Sequence, residues 1–106
     1  MVRAPENATI KSDEPAITST VVICTRNRPE LLQRCLAELR SLDGSPTEML
    51  VVDNSDGDEA IRRVAQENGA RYTIEPLRGL SRARNRGIRE CNTDLIAFLD
   101  DDVIPE

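Results

Sequence analysis

The sequence contains no histidine and no tryptophan, and Tyr72 and Phe98 are its only aromatic residues. Without histidine it lacks the commonest ligand of a zinc site and the side chain that most often moves protons at neutral pH. Without aromatics it lacks the stacking platforms on which single-stranded nucleic acid is held, so the five arginines between Arg78 and Arg89 read as a solvated helix face. A net charge of −5 points the same way, and no nucleic-acid partner is expected. Cysteine is scarce: Cys24, Cys35 and Cys91 form an odd set with no CxxC spacing. They signal neither a disulfide framework nor a zinc site and fit a reducing, cytoplasmic compartment. No apolar run approaches the roughly 20 residues that span a bilayer, and the N-terminus has no apolar leader region, so neither a membrane span nor export is expected.

What is present reads as an α/β chain. At 106 residues there is room for one domain and one core. Residues 1–16 are polar and aperiodic, a flexible tail ahead of a folded unit over residues 17–106. A β-branched run, Ile17 to Cys24, predicts a strand that delivers the loop Thr25-Arg26-Asn27-Arg28. Pro29 suits the first turn of a helix, in which Leu31, Leu32, Cys35, Leu36, Leu39 and Leu42 recur at helical spacing until Asp43-Gly44. A second strand, Met49 to Val52, runs into Asp53-Asn54-Ser55-Asp56, and the next helix buries Ile61, Val64 and Ala65 before Asn68-Gly69 closes it. A short strand over Arg71 to Ile74, a helix from about Leu80 to Cys91 and a strand over Leu95 to Leu99 complete the pattern. Strands alternating with helices over short loops predict a Rossmann-like three-layer αβα arrangement around a mainly parallel four-stranded sheet.

In such sheets ligands bind beyond the carboxyl ends of the strands, where strand order reverses. The three ends of interest carry Thr25-Arg26-Asn27, Asp53-Asn54-Ser55-Asp56 and Asp100-Asp101-Asp102. Three consecutive carboxylates repel one another, and either protonation or a bound cation relieves them. The hard oxygen set favours a divalent ion, Mg²⁺ or Mn²⁺, which typically takes one or two carboxylates and completes its shell with water and substrate phosphate. Along an extended chain Asp100 and Asp102 share a direction and Asp101 points away. The implied ligand is a phosphate ester, most simply a nucleotide.

The third helix adds a basic residue on an apolar arc. Leu80, Ala83, Gly87, Ile88 and Cys91 fall on one side at 100° per residue, Arg82, Arg86 and Arg89 lie opposite, and Arg84 falls within the apolar arc. A buried Arg84 would need a partner, either a ligand phosphate or a structural ion pair with Asp53 or Asp100, and the two are compatible. No GxxxxGKS/T loop is present to serve Leu95 to Asp100 as a Walker-type strand, and no GxGxxG follows the first strand.

Four blocks in order, Val21 to Pro29, Val51 to Asp56, Gly79 to Ile88 and Phe98 to Asp102, resemble the GT-A glycosyltransferases of family 2 over about Ser19 to Glu106. The resemblance implies an incomplete GT-A fold with the apolar run of the fourth strand at its centre. It implies a nucleotide-diphosphate sugar as ligand, held by Thr25, Arg26, Asp53, Ser55, Arg84 and Asp100, with Thr25 and Asp53 at the base and Asp53 accepting a base N–H. Asp100 and Asp102 resemble the DxD pair, with Asp100 near the ribose and Asp102 on a Mn²⁺ or Mg²⁺ ion that bridges the two phosphates. Inverting sugar transfer to an acceptor hydroxyl is the implied reaction.

Two departures qualify the match. The first loop of the family usually reads Pro-Thr-Tyr-Asn, whereas Cys24-Thr25-Arg26-Asn27 puts an arginine where an aromatic would flank the base. The carboxylate that deprotonates the acceptor is also expected beyond Glu106, so the 106-residue piece is expected to bind donor without transferring sugar. A chain ending there leaves a strand edge through which copies could associate. Two other readings compete: a HAD-type phosphatase fragment, since Asp100-Asp101-Asp102-Val103 resembles its nucleophile motif, and a non-catalytic nucleotide-binding or scaffold module.

Overall fold

The computed structural model describes residues 17–41 and 46–101. The tail expected over residues 1–16, the helix stop at Asp43-Gly44 and the proposed metal ligand Asp102 lie outside the described residues. Seven elements alternate: β1 (Ser19–Thr25), α1 (Pro29–Ser41), β2 (Glu48–Asp53), α2 (Glu59–Glu67), β3 (Arg71–Ile74), α3 (Leu80–Arg89) and β4 (Leu95–Asp100). All strand pairs are parallel and the sheet order is β3-β2-β1-β4, the α/β arrangement expected.

Neighbouring residues on a strand face opposite ways, and β1 uses this to build two cores at once. Ile23 joins Leu32, Leu36, Val51 and Ile61 under α1 and α2, while Val22 joins Leu50, Val52 and Ala83 under α3. From β1 to β3 the chain steps outward in one direction, then returns past β1 to lay down β4. A crossover of constant hand requires α3 to take the face opposite α1 and α2. The reversal creates a switch point between β1 and β4.

Local chemistry sets the boundaries. Asp58 caps α2 by accepting from the amides of Ala60 and Ile61, and Gly69, at φ 74°, turns the chain after Asn68. Asn68 also donates to Gln33 of α1 at 2.9 Å, tying the two helices together. Just before β1, Asp94 accepts from the Thr18 amide at 2.9 Å and its hydroxyl at 3.2 Å, while the Thr18 carbonyl accepts from the Leu95 amide at 3.0 Å.

Among the four strands described, β1 and β2 hold the centre and β4 is an edge strand that leaves Leu95 and Phe98 partly in solvent. One expectation is corrected: the buried arc of α3 is narrower than its pattern suggests. Ala83 and Gly87 are buried, but Leu80 and Ile88 are 48% and 49% exposed. The cause is the close approach of α3 to β1: a Cβ on Gly87 would fall 2.6 Å from Cγ1 of Val22, so only the smallest side chains fit beneath the helix. No helix among the described residues is long and apolar enough to cross a membrane.

Candidate functional site

Parallel strands bring the ends of β1, β2 and β4 to one edge, and at the switch point a cavity of about 350 Å³ opens there. Cys24, Arg26, Arg28, Arg78, Gly79 and Asp100 contribute to its walls. Cys24 and Asp100 are register partners on β1 and β4. Burial pushes the Cys24 thiol up to about 11, with the Arg84 charge pulling it partly back and Asp100 and Asp101 pushing it further, so it stands in the wall as a neutral group. The Asp100 side chain is exposed.

Asp101 lines the same cavity but is buried. It is 4% exposed, accepts the Thr25 hydroxyl at 2.8 Å and lies 3.6 Å from Nε of Arg28. Thr25 and Asp101 together fasten the end of β4 to the end of β1, which sets Asp100 facing the cavity.

The β2–α2 loop is organised by Asp53. Its Oδ1 accepts from the amide and hydroxyl of Ser55, and its Oδ2 accepts from the Asp58 amide at 3.0 Å and the Tyr72 hydroxyl at 2.6 Å. Burial works against the charge, but the hydrogen bonds from Ser55, Tyr72 and Asp58 outweigh it and hold the carboxyl below its usual range. A carboxylate offers about four lone-pair positions, and here the chain itself fills all of them.

Asn54, the next residue, reaches across to the β3–α3 loop. Its Nδ2 donates to the carbonyls of Glu75 at 2.8 Å and Leu77 at 3.0 Å, and its Oδ1 accepts from the Gly79 amide at 2.9 Å. The loop is pinned on its other side by Glu75, which accepts from the Leu77 amide and pairs with Arg86 and Arg89. Gly79 at φ 144° starts α3, and no side chain caps the helix, so its first N–H groups open toward the cavity.

Arg26 borders this cavity and also a second one of about 300 Å³, lined by Asn27, Ser55, Asp56, Gly57 and Asp58. Its Nε is buried with no hydrogen-bond partner among the described residues. Asn27 takes a left-handed backbone at φ 56°, which bends the loop between the two cavities.

Thr25, Arg26 and Asp100 therefore share one cavity, Ser55 lines the adjacent one with Arg26, and Asp53 stands behind both as the organiser of their common loop. The expectation that Arg84 is buried is not met. It is exposed, and its guanidinium lies over the Phe98 ring at 5.9 Å from the centroid, because α3 rides too close to β1 to cover a long side chain. Asn54, Tyr72 and Arg78 were not singled out from the sequence. An asparagine directly after a strand-end aspartate was the available signal for the first, and nothing local marks the other two.

The donors present suit a hard cation. Asp100 offers one outward carboxylate beside an open helix N-terminus, the sparse protein contribution typical of Mg²⁺ or Mn²⁺ when phosphate and water complete the shell. The described residues contain no cluster of three or more side chains able to hold a metal by themselves.

The model of the family described as glycosyl transferase family 2 matches residues 20–106. The pre-mycofactocin glycosyltransferase of Mycobacterium tuberculosis (strain CDC 1551 / Oshkosh) is 40% identical over 91 residues, covering 81% of this chain and 18% of its own length. Mannosyl-3-phosphoglycerate synthase from Rubrobacter xylanophilus superposes with a TM-score of 0.72 over 85% of this chain and 32% of that one, at 23% identity, a likeness of fold. A mannosyltransferase from Pyrobaculum calidifontis, solved with GDP-Man and Mn²⁺, is 28% identical with a TM-score of 0.66 over 79% of this chain and 27% of that one. The chain thus spans 18% of the length of the first relative and about a third or less of each structure.

Proposed function

The chain belongs to glycosyl transferase family 2, and on that premise we propose that it forms the nucleotide-sugar-binding part of an inverting transferase that moves a sugar from a nucleoside diphosphate to an acceptor hydroxyl. The observation that carries this reading is the meeting of Asp100, Arg78 and the uncapped start of α3 around one cavity at the β1/β4 switch point. Helix N–H groups and Arg78 suit the two phosphates, and Asp100 in the same cavity would help to hold a divalent cation. Thr25 and Arg26 supply the β1 side of the pocket, Ser55 lines the adjacent cavity, Asp53 organises the β2 side from behind, and Arg84 stands outside beside Phe98.

Asp100 with Asp102 would hold the divalent ion. A bound Mn²⁺ or Mg²⁺ would neutralise the nucleoside diphosphate as leaving group. The chain's own contribution is positional: Thr25 and Asp101 aim Asp100, and Asn54 aims the first turn of α3. No residue of the chain is assigned the removal of the acceptor proton. Three free cysteines fit the cytoplasm, and β4, an edge strand among the described residues, is a surface for a second copy. The family match leaves the phosphatase reading without support.

Calorimetry with UDP and GDP, with and without Mn²⁺, tests the proposal. Metal-dependent binding that disappears in Asp102→Ala and weakens in Asp100→Asn is expected. Failure of every nucleotide to bind would instead favour a scaffold that keeps only the fold.

A further inference from the structure

The five arginines between Arg78 and Arg89 stand in a stretch without a single carboxylate, although the chain carries a net charge of −5. Arg82, Arg86 and Arg89 are four and three residues apart, so the helix lines them along one face. With Asn85 beside them they wall a cavity of about 330 Å³ on the outer side of α3, bordered by Glu75 and Leu77 of the β3–α3 loop. No residue lines both this cavity and the one at the switch point. All three arginines reach solvent: Arg82 and Arg89 are exposed, and Arg86 is 32% exposed.

Glu75 is the carboxylate on these walls, and its oxygens are already shared. Oε2 accepts from the Leu77 amide at 3.0 Å, while Oε1 serves both Nε of Arg86 at 3.3 Å and the guanidinium of Arg89 at 3.7 Å. Arg82 makes no ion pair and no side-chain hydrogen bond among the described residues. Three cations around one carboxylate leave surplus positive charge facing the cavity, and each guanidinium keeps N–H donors that Glu75 does not use. Like charges four residues apart also weaken a helix, so Arg82 beside Arg86 is a cost that a bound anion would lift.

We propose that this cavity is a phosphate-binding site separate from the one at the switch point, in which Arg82, Arg86 and Arg89 donate to the terminal oxygens of a phosphate monoester and Asn85 donates beside them. Guanidinium forks match phosphate geometry, and a phosphate monoester offers three terminal oxygens to three arginines where a carboxylate offers two. Leu77, 58% exposed on the same wall, suits an apolar part of the molecule that bears the phosphate. A free phosphorylated molecule and a lipid headgroup share this chemistry.

Two-dimensional NMR of the chain, titrated with inorganic phosphate and in parallel with sodium chloride at matched ionic strength, reads the site directly. Saturable shifts centred on Arg82, Asn85, Arg86 and Arg89 are expected. Shifts that chloride reproduces, or that are confined to Arg78, Gly79 and Leu80, would overturn the proposal. Arg82→Gln and Arg89→Gln, both at exposed positions, should each weaken phosphate binding several-fold with circular dichroism unchanged. Arg82→Lys should recover only part of that loss, because an ammonium cannot fork across two oxygens. Unaltered phosphate affinity in both glutamine variants would remove these arginines from the site. Glycerol phosphate in solution, and phosphatidylcholine vesicles with and without phosphatidic acid, separate the two sources. Tighter binding of glycerol phosphate than of inorganic phosphate, without sedimentation on vesicles, assigns a free ligand. Sedimentation only with phosphatidic acid, lost in Arg82→Gln, assigns a lipid headgroup. Failure of phosphate, glycerol phosphate and vesicles alike would overturn the site and leave the nucleotide reading standing.

Discussion

Thr25, the last residue of β1, donates its hydroxyl at 2.8 Å to Asp101, the first residue after β4, with both side chains buried. The contact joins the two strands at the edge where the cavity opens. It is also the main partner of a buried carboxylate, since Arg28 approaches Asp101 only at 3.6 Å and is itself 52% exposed.

Thr25→Val keeps the shape and removes the donor. Leaving a buried acceptor short of its partner costs about 1–3 kcal/mol. Urea unfolding should register that loss, and Thr25→Ser should recover most of it. A change below about 0.5 kcal/mol would mean that Arg28 alone suffices for Asp101.

Asp53 predicts an acid dependence. Its carboxyl titrates below the usual range in the folded chain, so its stabilising contribution is complete above the unfolded value and is lost as pH falls through the folded one. Tyr72→Phe removes one of its four donors. The Asp53 pKa, followed by carbon NMR, should rise toward the ordinary carboxylate value, and acid unfolding should begin at higher pH. An unmoved Asp53 titration would show the Tyr72 bond to be idle.

Gly87→Ala sets two known effects against each other. Alanine is favoured over glycine within a helix by roughly 0.8–1 kcal/mol, but the added methyl would meet Val22 at 2.6 Å, and overpacking costs about 1–3 kcal/mol. Net destabilisation is expected in thermal unfolding. Pairing it with Val22→Ala should relieve part of the loss, because the clash is with the valine methyl.

Asn54→Ala removes three hydrogen bonds to the β3–α3 loop without touching the core. Amide exchange at Gly79 should quicken several-fold, while helix content by circular dichroism stays unchanged. Nucleotide affinity should fall in parallel, since the loop carries Arg78 and the first turn of α3 into the cavity. Unaltered Gly79 exchange would mean that Glu75, through Arg86 and Arg89, holds the loop unaided.

Much of this architecture is written in short-range pattern. The run Val21-Val22-Ile23 and the spacing of Leu32, Cys35, Leu36 and Leu39 name β1 and α1, and the third strand falls at Arg71–Ile74 as its sequence suggests. The polar ends of β1, β2 and β4 meet at one edge because parallel pairing leaves them no alternative. Pairings between side chains were harder to read. Nothing near Thr25 announces Asp101, and nothing near Asn54 announces Gly79; each pair exists only once the sheet order is known. Arg84 misled for a different reason. A helical wheel gives the direction of a side chain, but the distance from helix to sheet decides what that direction covers, and here Gly87 sets the distance.

The placement of β4 beside β1 also has a consequence in time. Thr25 and Asp101 are separated by 76 residues, yet doubling a loop costs only about 0.6 kcal/mol in closure entropy, so equilibrium stability scarcely registers the distance. Rate registers it more, because β1–β2 and β2–β3 each pair across one intervening helix, whereas β1–β4 must wait for everything between them. As the chain emerges from the ribosome, β1 stands with one side bare until Leu95–Asp100 has been made. The cavity comes into being with that pairing, and a nascent chain cannot engage a ligand there before β4 is in place.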